Sequence, residues 1–148
     1  FSAGCKSAAL FAGVSAEKVQ ALADYGKKLG MAFQIMDDLL DYMGDAHTIG
    51  KALGDDLAEG KPTLPLIRAQ SQLPPADKAR LRDIIEQGDR DAIDDVRRML
   101  AQTDALPYSH AAAQKLAQEA IACLDHFPDS PYKQALATLA RMAADRAA

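Results

Sequence analysis

Several features that would place a chain in a familiar class are scarce or missing in these 148 residues. There are two cysteines, Cys5 and Cys123, far apart and in no paired motif. A reduced intracellular setting is therefore expected, with both thiols as packing groups rather than nucleophiles. Positive charge is in deficit, 17 Lys and Arg against 21 Asp and Glu, for a net charge of -4 and a pI near 5.3. Nucleic-acid binding depends on phosphate neutralisation by basic side chains, so that class is disfavoured. No window approaches the roughly 18 uninterrupted apolar residues of a membrane span, and no secretory pattern opens the chain. A soluble, cytoplasmic protein without a transmembrane segment is expected, with peripheral membrane contact left open. Glu-x-x-His pairs are missing too: His47, His110 and His126 offer none, which removes the ligand pattern of a di-iron helical bundle.

Alternating strand periodicity, internal repeats and low-complexity linkers are also lacking. What is present is helical spacing and abundant alanine, which point to an all-α fold. One helix is expected to end around Phe11 to Gly13, and a second to run from a Ser15 cap to Tyr42 or Met43. A loop follows over Gly44 to Asp55. A third helix is predicted from Lys61-Pro62 through Ala69, stopped by Leu73-Pro74-Pro75. Shorter helices follow over Asp77 to Gln87, Asp91 to Gln102, Ser109 to Leu124 and Pro131 to Ala144, the last capped by Ser130.

Against this apolar background three aspartates stand out, in Gln34-Ile35-Met36-Asp37-Asp38-Leu39-Leu40-Asp41. At about 100° per residue, Asp37, Asp41 and Asp38 fall at roughly 0°, 40° and 100°, with Gln34 near 60°, so the four share one arc. Leu22, Leu29, Phe33, Met36 and Leu40 mark an apolar stripe on the same helix. Like charges one turn apart destabilise a helix by about 0.2–0.5 kcal/mol per pair, and burial raises the cost. A hard cation removes it, and oxygen donors without His or Cys nearby favour magnesium or calcium. A solvated acidic face is the plainer alternative. Gly26 and Gly30 on the same side permit close approach of a ligand or of another helix, and helix packing stays open for both.

Magnesium commonly binds through one or two carboxylates plus a substrate's phosphates, so a phosphate-binding element is the next expectation. Lys51 and Lys61 each follow a glycine in the segment after the acidic helix. Pro62 suits a first helical turn, which places Lys61 at a helix N-terminus, an end that favours anions. Either lysine alone could simply pair with Asp55, Asp56 or Glu59. Two of them beside a carboxylate cluster favour a metal and diphosphate site.

The run Gly30 to Asp41, followed by Gly50-Lys51, Gly54, Asp56-Leu57, Gly60-Lys61 and Thr63-Leu64-Pro65, resembles the second aspartate-rich region of the trans-isoprenyl diphosphate synthases, or polyprenyl synthetases. Cys5-Lys6-Ser7-Ala8-Ala9-Leu10-Phe11 is similar to that family's Lys-Thr segment, with Ser7 keeping the hydroxyl. The segment from Ala120 to Leu136 resembles the C-terminal end of long-chain members that make quinone side chains. The resemblance implies an all-α bundle, built as a homodimer, that condenses an allylic prenyl diphosphate with isopentenyl diphosphate head to tail. It implies magnesium held by Asp37, Asp38 and Asp41, and the allylic diphosphate gripped by Lys6, Ser7, Lys51 and Lys61. Gln34 would contact that ligand or the developing cation.

The family uses two aspartate-rich helices, and this chain has one. Asp91, Asp94 and Asp95 open an amphipathic helix and read as solvated first-turn acids favoured by the dipole. Residues 1–148 are therefore expected to be the C-terminal portion of one polyprenyl synthetase domain, inactive alone. A noncatalytic subunit of a heteromeric synthase is the alternative.

Overall fold

The computed structural model describes residues 1–43 and 54–145, and every regular element within them is helical. In chain order these are α1 (Ser2–Phe11), α2 (Ala16–Met43), α3 (Asp55–Ala58), α4 (Leu64–Gln72), α5 (Pro75–Gln87), a 3-10 turn at Arg90–Ala92, α6 (Ile93–Ala101), α7 (Ala105–Ala122), a second 3-10 turn at Cys123–His126 and α8 (Pro131–Ala144). The all-α expectation holds. Among the described residues no helix is long and apolar enough to cross a membrane.

Local chemistry sets the boundaries. Leu73 and Pro74 are extended, which ends α4 and lets Pro75 open α5. Gly88 closes α5 at φ 63°, in the left-handed region. A Cβ there would also lie 2.6 Å from the carbonyl oxygen of Ala58, so only glycine fits on both counts. The Ser130 Oγ accepts from the Lys133 N–H at 3.1 Å and caps α8 as expected.

Several boundaries differ from the sequence reading. α4 runs to Gln72 rather than Ala69, α5 begins at Pro75 rather than Asp77, and α6 at Ile93 rather than Asp91, after the 3-10 turn. Three further differences are larger. The short helix α3 lies where a loop and its exit were expected. The next helix begins at Leu64 after a Thr63 cap, with Pro65 rather than Pro62 in its first turn. Two prolines three residues apart both suit a first turn, and the Thr63 N–H bonded to the Lys61 carbonyl at 2.9 Å marks a tight turn centred on Pro62 instead. Finally α7 starts at Ala105, not Ser109. Pro107 is accommodated in the first turn, and the Thr103 hydroxyl accepts from the Ala105 N–H at 3.2 Å.

The chain forms two compact units. The first comprises residues 1–36 and 112–145. Its core joins Tyr25 and Leu29 of α2, Ala120 of α7, Leu124, and Ala140 and Ala143 of α8, with Cys5 and Cys123 packed against them. A smaller cluster joins Ala32, Ala117 and Ala144. Both thiols are free and half-buried, as packing groups should be, and burial pushes the Cys123 thiol up. The Tyr25 hydroxyl donates to the Leu136 carbonyl at 2.9 Å, and burial raises its pKa to about 12. Gly26 and Gly30 serve α1. A Cβ on Gly26 would lie 2.9 Å from both the Cys5 Sγ and the Phe1 carbonyl oxygen, and one on Gly30 would lie 3.1 Å from the Phe1 ring. Helix packing, not ligand approach, accounts for both glycines.

The second unit, residues 37–111, packs Tyr42 at the end of α2 with Leu57, Leu66, Leu73, Leu81, Ile84, Val96, Met99 and Leu100. All of the buried carboxylates among the described residues, Asp38, Asp41 and Asp56, belong to it.

Candidate metal and diphosphate site

The site is built on the last two turns of α2 and the segment 54–63. Asp38 and Asp41 are buried, Asp37 is partly buried and Gln34 is exposed. The face read from the sequence is thus graded from wet to dry. Of the apolar stripe, Leu29 and Met36 are buried while Leu22, Phe33 and Leu40 are only partly buried, and Leu39, with no exposed surface, carries the burial beside Leu40.

Asp41 aims its carboxylate at the start of α3. Its Oδ1 accepts from the Asp55 N–H at 3.2 Å and its Oδ2 from the Asp56 N–H at 3.0 Å. A short helix begins with unpaired N–H groups, and the carboxylate of a distant helix satisfies two of them. That contact fixes the position of Asp56, which is 95% buried. Its Oδ1 accepts from Lys61 Nζ at 2.7 Å, and the same ammonium lies 3.9 Å from Asp38 Oδ1. The hydrogen bond to Asp56 holds the Lys61 ammonium above its ordinary pKa of 10.5. The other oxygen, Asp56 Oδ2, is buried and has no hydrogen-bond partner among the described residues.

The surrounding residues brace this cluster. The Tyr42 hydroxyl and the Thr63 Oγ1 share a hydrogen bond of 3.2 Å, and burial drives the Tyr42 hydroxyl far above its usual range, so it stays neutral. Arg97 Nε donates to the Tyr42 carbonyl at 2.6 Å, satisfying an acceptor in the last turn of α2. Arg90 pairs with Asp55 in the first turn of α3.

The structure therefore brings together Asp38, Asp41 and Lys61 of the predicted set. Lys61 is not at a helix N-terminus as predicted, because α4 starts three residues later; its pairing with Asp56 is what draws it to the acidic face. Lys51 and His47 lie outside the described residues. Lys6, Ser7 and Gln34 belong to the other unit, all three exposed. Asp56 was missed as a site residue. Its signal was the five-residue spacing to Lys61 across a Gly60 turn at φ 66°, which folds the lysine back onto the carboxylate. Of the rival acids, Asp91 and Asp94 are exposed as expected, Asp91 in the 3-10 turn rather than in α6. Asp95 is instead partly buried and pairs with Arg80 and Arg98; the Arg80 hydrogen bond, then both arginine charges, hold its carboxyl below the usual range.

Every candidate donor here is a carboxylate oxygen, and a buried Oδ2 lacks a partner, which fits a hard divalent cation. Among the described residues no three His, Cys, Asp or Glu side chains converge as a ready-made cage. Magnesium bound through one or two carboxylates and a diphosphate needs no such cage.

The comparisons with known proteins decide the family. The sequence profile described as polyprenyl synthetase matches residues 1–103. This chain belongs to the polyprenyl synthetase family. It is 44% identical over 147 residues to an octaprenyl diphosphate synthase of Haemophilus influenzae, covering 99% of this chain and 45% of that protein. It is 40% identical to an all-trans-nonaprenyl-diphosphate synthase of Rhodobacter capsulatus, again covering 45% of the relative. Among solved structures, a polyprenyl synthase of Caulobacter crescentus complexed with calcium and isoprenyl diphosphate superposes with a TM-score of 0.90 at 37% identity. That match covers 100% of this chain and 46% of the other. The chain thus spans a little under half the length of these relatives, and it matches their C-terminal half.

Proposed function

We propose that this chain carries the second aspartate-rich half of a prenyltransferase site that condenses an allylic prenyl diphosphate with isopentenyl diphosphate. The product would be a long-chain polyprenyl diphosphate for quinone side chains, made by a cytoplasmic homodimer. The observation that carries the reading is the Asp38–Lys61–Asp56 constellation, 2.7 and 3.9 Å across its two contacts, on the helix that opens it in a member of this family. The long-chain names of the relatives support the product class, and the calcium and isoprenyl diphosphate named for the Caulobacter structure support the ligands.

Asp37 and Asp38 would hold magnesium, with Asp41 anchoring α3 behind them and completing the set directly or through water. The bound cation would offset the negative charge that develops on the departing diphosphate. Lys61 keeps its charge because Asp56 stabilises the ammonium, and its side chain, 43% exposed, can add a phosphate oxygen to its contacts. Lys6, Ser7 and Lys51 would grip the same diphosphate, and Gln34 would contact that ligand or the allylic cation. The apolar surroundings would keep water from that cation.

The test joins the amino-terminal half of the Haemophilus relative to residues 1–148 and measures product with magnesium and both diphosphates. Asp37→Ala and Asp38→Ala should each lower turnover by roughly 100-fold or more, the range seen when one preorganised charge-stabilising group is lost. Asp94→Ala should change it by less than about threefold. Equal losses at all three positions would refute the assignment. Residues 1–148 alone should give no product, since they carry one acidic cluster.

A further inference from the structure

Arg97 and Arg98 are neighbours on α6 with different surroundings. The Arg98 side chain is 66% exposed and pairs with Asp95 on the same helix. Arg97 is partly buried, and its Nε donates to the Tyr42 carbonyl at 2.6 Å, 55 positions away in sequence. That carbonyl is in the last turn of α2, among those that a helix cannot bond within itself. Asp37, Asp38 and Asp41 crowd the same end of α2, where the helix dipole disfavours acids and favours a guanidinium.

Arg97 does not act alone. Arg90 pairs with Asp55 in the first turn of α3. A Cβ on the buried Gly54, which precedes Asp55 at φ 78°, would lie 3.4 Å from Arg90 Cγ and 3.5 Å from Ile93 Cδ1. Residues 90, 93 and 97, spaced by three and four, thus share one face. That face meets the start of α3 through Arg90 and Ile93 and the end of α2 through Arg97. Val96, Met99 and Leu100 seat α6 in the core that also holds Tyr42, which fixes the register of the face. The two ends that it meets are joined by Asp41, whose carboxylate accepts from the Asp55 and Asp56 N–H groups.

We propose that Arg97 and Arg90 are positioning residues for the diphosphate grip, holding the Asp41 contact from both sides and, through it, Asp56 and Lys61. Arg97 fixes the helix end that supplies the carboxylate. Arg90 fixes the residue that supplies the first N–H. Asp56 then presents its Oδ1 to Lys61 Nζ at 2.7 Å, and the ammonium is kept 3.9 Å from Asp38 Oδ1. Neither arginine has to touch substrate. The proposal rests on the reading of Lys61 as a diphosphate ligand, so one arm of its test does not involve catalysis.

In that arm, hydrogen exchange is followed by mass spectrometry in the metal-free fusion with the amino-terminal half of the Haemophilus relative. The Asp55 and Asp56 N–H groups open α3 and have no intrahelical acceptor, so their protection reports the Asp41 contact. Arg97→Met should speed exchange over residues 55–58 by about tenfold or more and leave α8 unchanged. Arg97→Lys, which keeps the charge and a donor, should speed it by less than about threefold, and Arg98→Met, the control, by less than about twofold. In the second arm, Arg97→Met should lower kcat/KM for the allylic diphosphate by about tenfold. The same change introduced into Lys61→Met should cost less than about twofold, whereas a role in stability alone would cost one factor in both backgrounds. Unchanged exchange over residues 55–58 would overturn the proposal, and so would equal losses in the two backgrounds. Should Arg97→Met not fold, Arg90→Met carries the same two expectations. A fusion that makes no product in any form would sink the catalytic reading and the diphosphate role with it, while faster exchange in Arg97→Met would still establish the brace.

Discussion

In the first unit, α2, α7 and α8 meet through Ala32, Ala117, Ala120, Ala140 and Ala143, whereas the second fills its interior with Leu57, Leu66, Leu81, Val96, Met99 and Leu100. The polar contents differ in the same sense. Buried Asp38, Asp41, Asp56, Thr63 and Ser109 all lie in the second unit, and the first has no buried charge among its described residues. Small side chains let helix backbones approach closely, so the first unit is governed by fit at the backbone. The second has side-chain volume to lose and holds charge that must be held in place. A region that keeps carboxylates out of water needs a thick apolar brace on the other side of them. Tyr42 shows the arrangement in one residue: its ring belongs to that core while its hydroxyl reaches Thr63 beside the carboxylates.

The largest stability change should come from emptying the second core. Leu100→Ala removes a side chain with 1% of its surface exposed, and losses of about 2–5 kcal/mol are expected for such a truncation. Urea unfolding of residues 1–148 measures it. The matching change in the first unit runs in the other direction of volume: Ala120→Leu, at a position with no exposed surface, should cost about 1–3 kcal/mol by overpacking. A tolerated Ala120→Leu would mean that the helices there can move apart, and the contrast between the units would fail.

Two glycines sharpen the same contrast at smaller scale. Gly4 in α1 has open space where a Cβ would go, so Gly4→Ala should stabilise by about 0.5–1 kcal/mol through helix propensity. Gly26→Ala in α2 gains the same propensity but drives its Cβ to 2.9 Å from the Phe1 carbonyl and the Cys5 Sγ, so it should destabilise. If both alanines stabilise, α1 is not seated on α2 through Gly26.

How much of this was written in the sequence follows from the range of the interactions. The extent of α2, the break at Pro74 and Pro75 and the Ser130 cap depend on neighbours a few residues away, and periodicity and capping rules read them. The capping of α3 by Asp41 joins residues 14 and 15 apart, and Arg97 reaches Tyr42 across 55 positions. No local rule assigns such partners, so the sequence reading placed a loop up to Asp55, where α3 begins, and gave Arg97 no role. The family resemblance named Asp38, Asp41 and Lys61 as site residues, but it did not separate the buried anchoring of Asp41 from the half-exposed position of Asp37. Gly26 and Gly30 show the complementary failure: their spacing signalled close approach, yet only the position of Phe1 and Cys5 tells what approaches.

The smallest effect lies in the pH dependence of the Lys61 contact. The Asp56 hydrogen bond raises the Lys61 pKa above 10.5, so between the two values the folded chain binds more protons than the unfolded one. The stabilisation is therefore fully present below about pH 10.5 and is lost as pH rises through the raised value. Because the lysine side chain is 43% exposed, solvent screens the pair and the slope should be shallow. The readout is the difference in unfolding free energy between the wild type and Lys61→Met from pH 9 to the alkaline limit of folding, which cancels the other lysines and tyrosines that titrate there. That difference should be constant near pH 9 and shrink at higher pH. A difference that stays flat throughout would mean that Lys61 does not hold Asp56 in solution, and the second unit would then keep its buried carboxylate by its apolar brace alone.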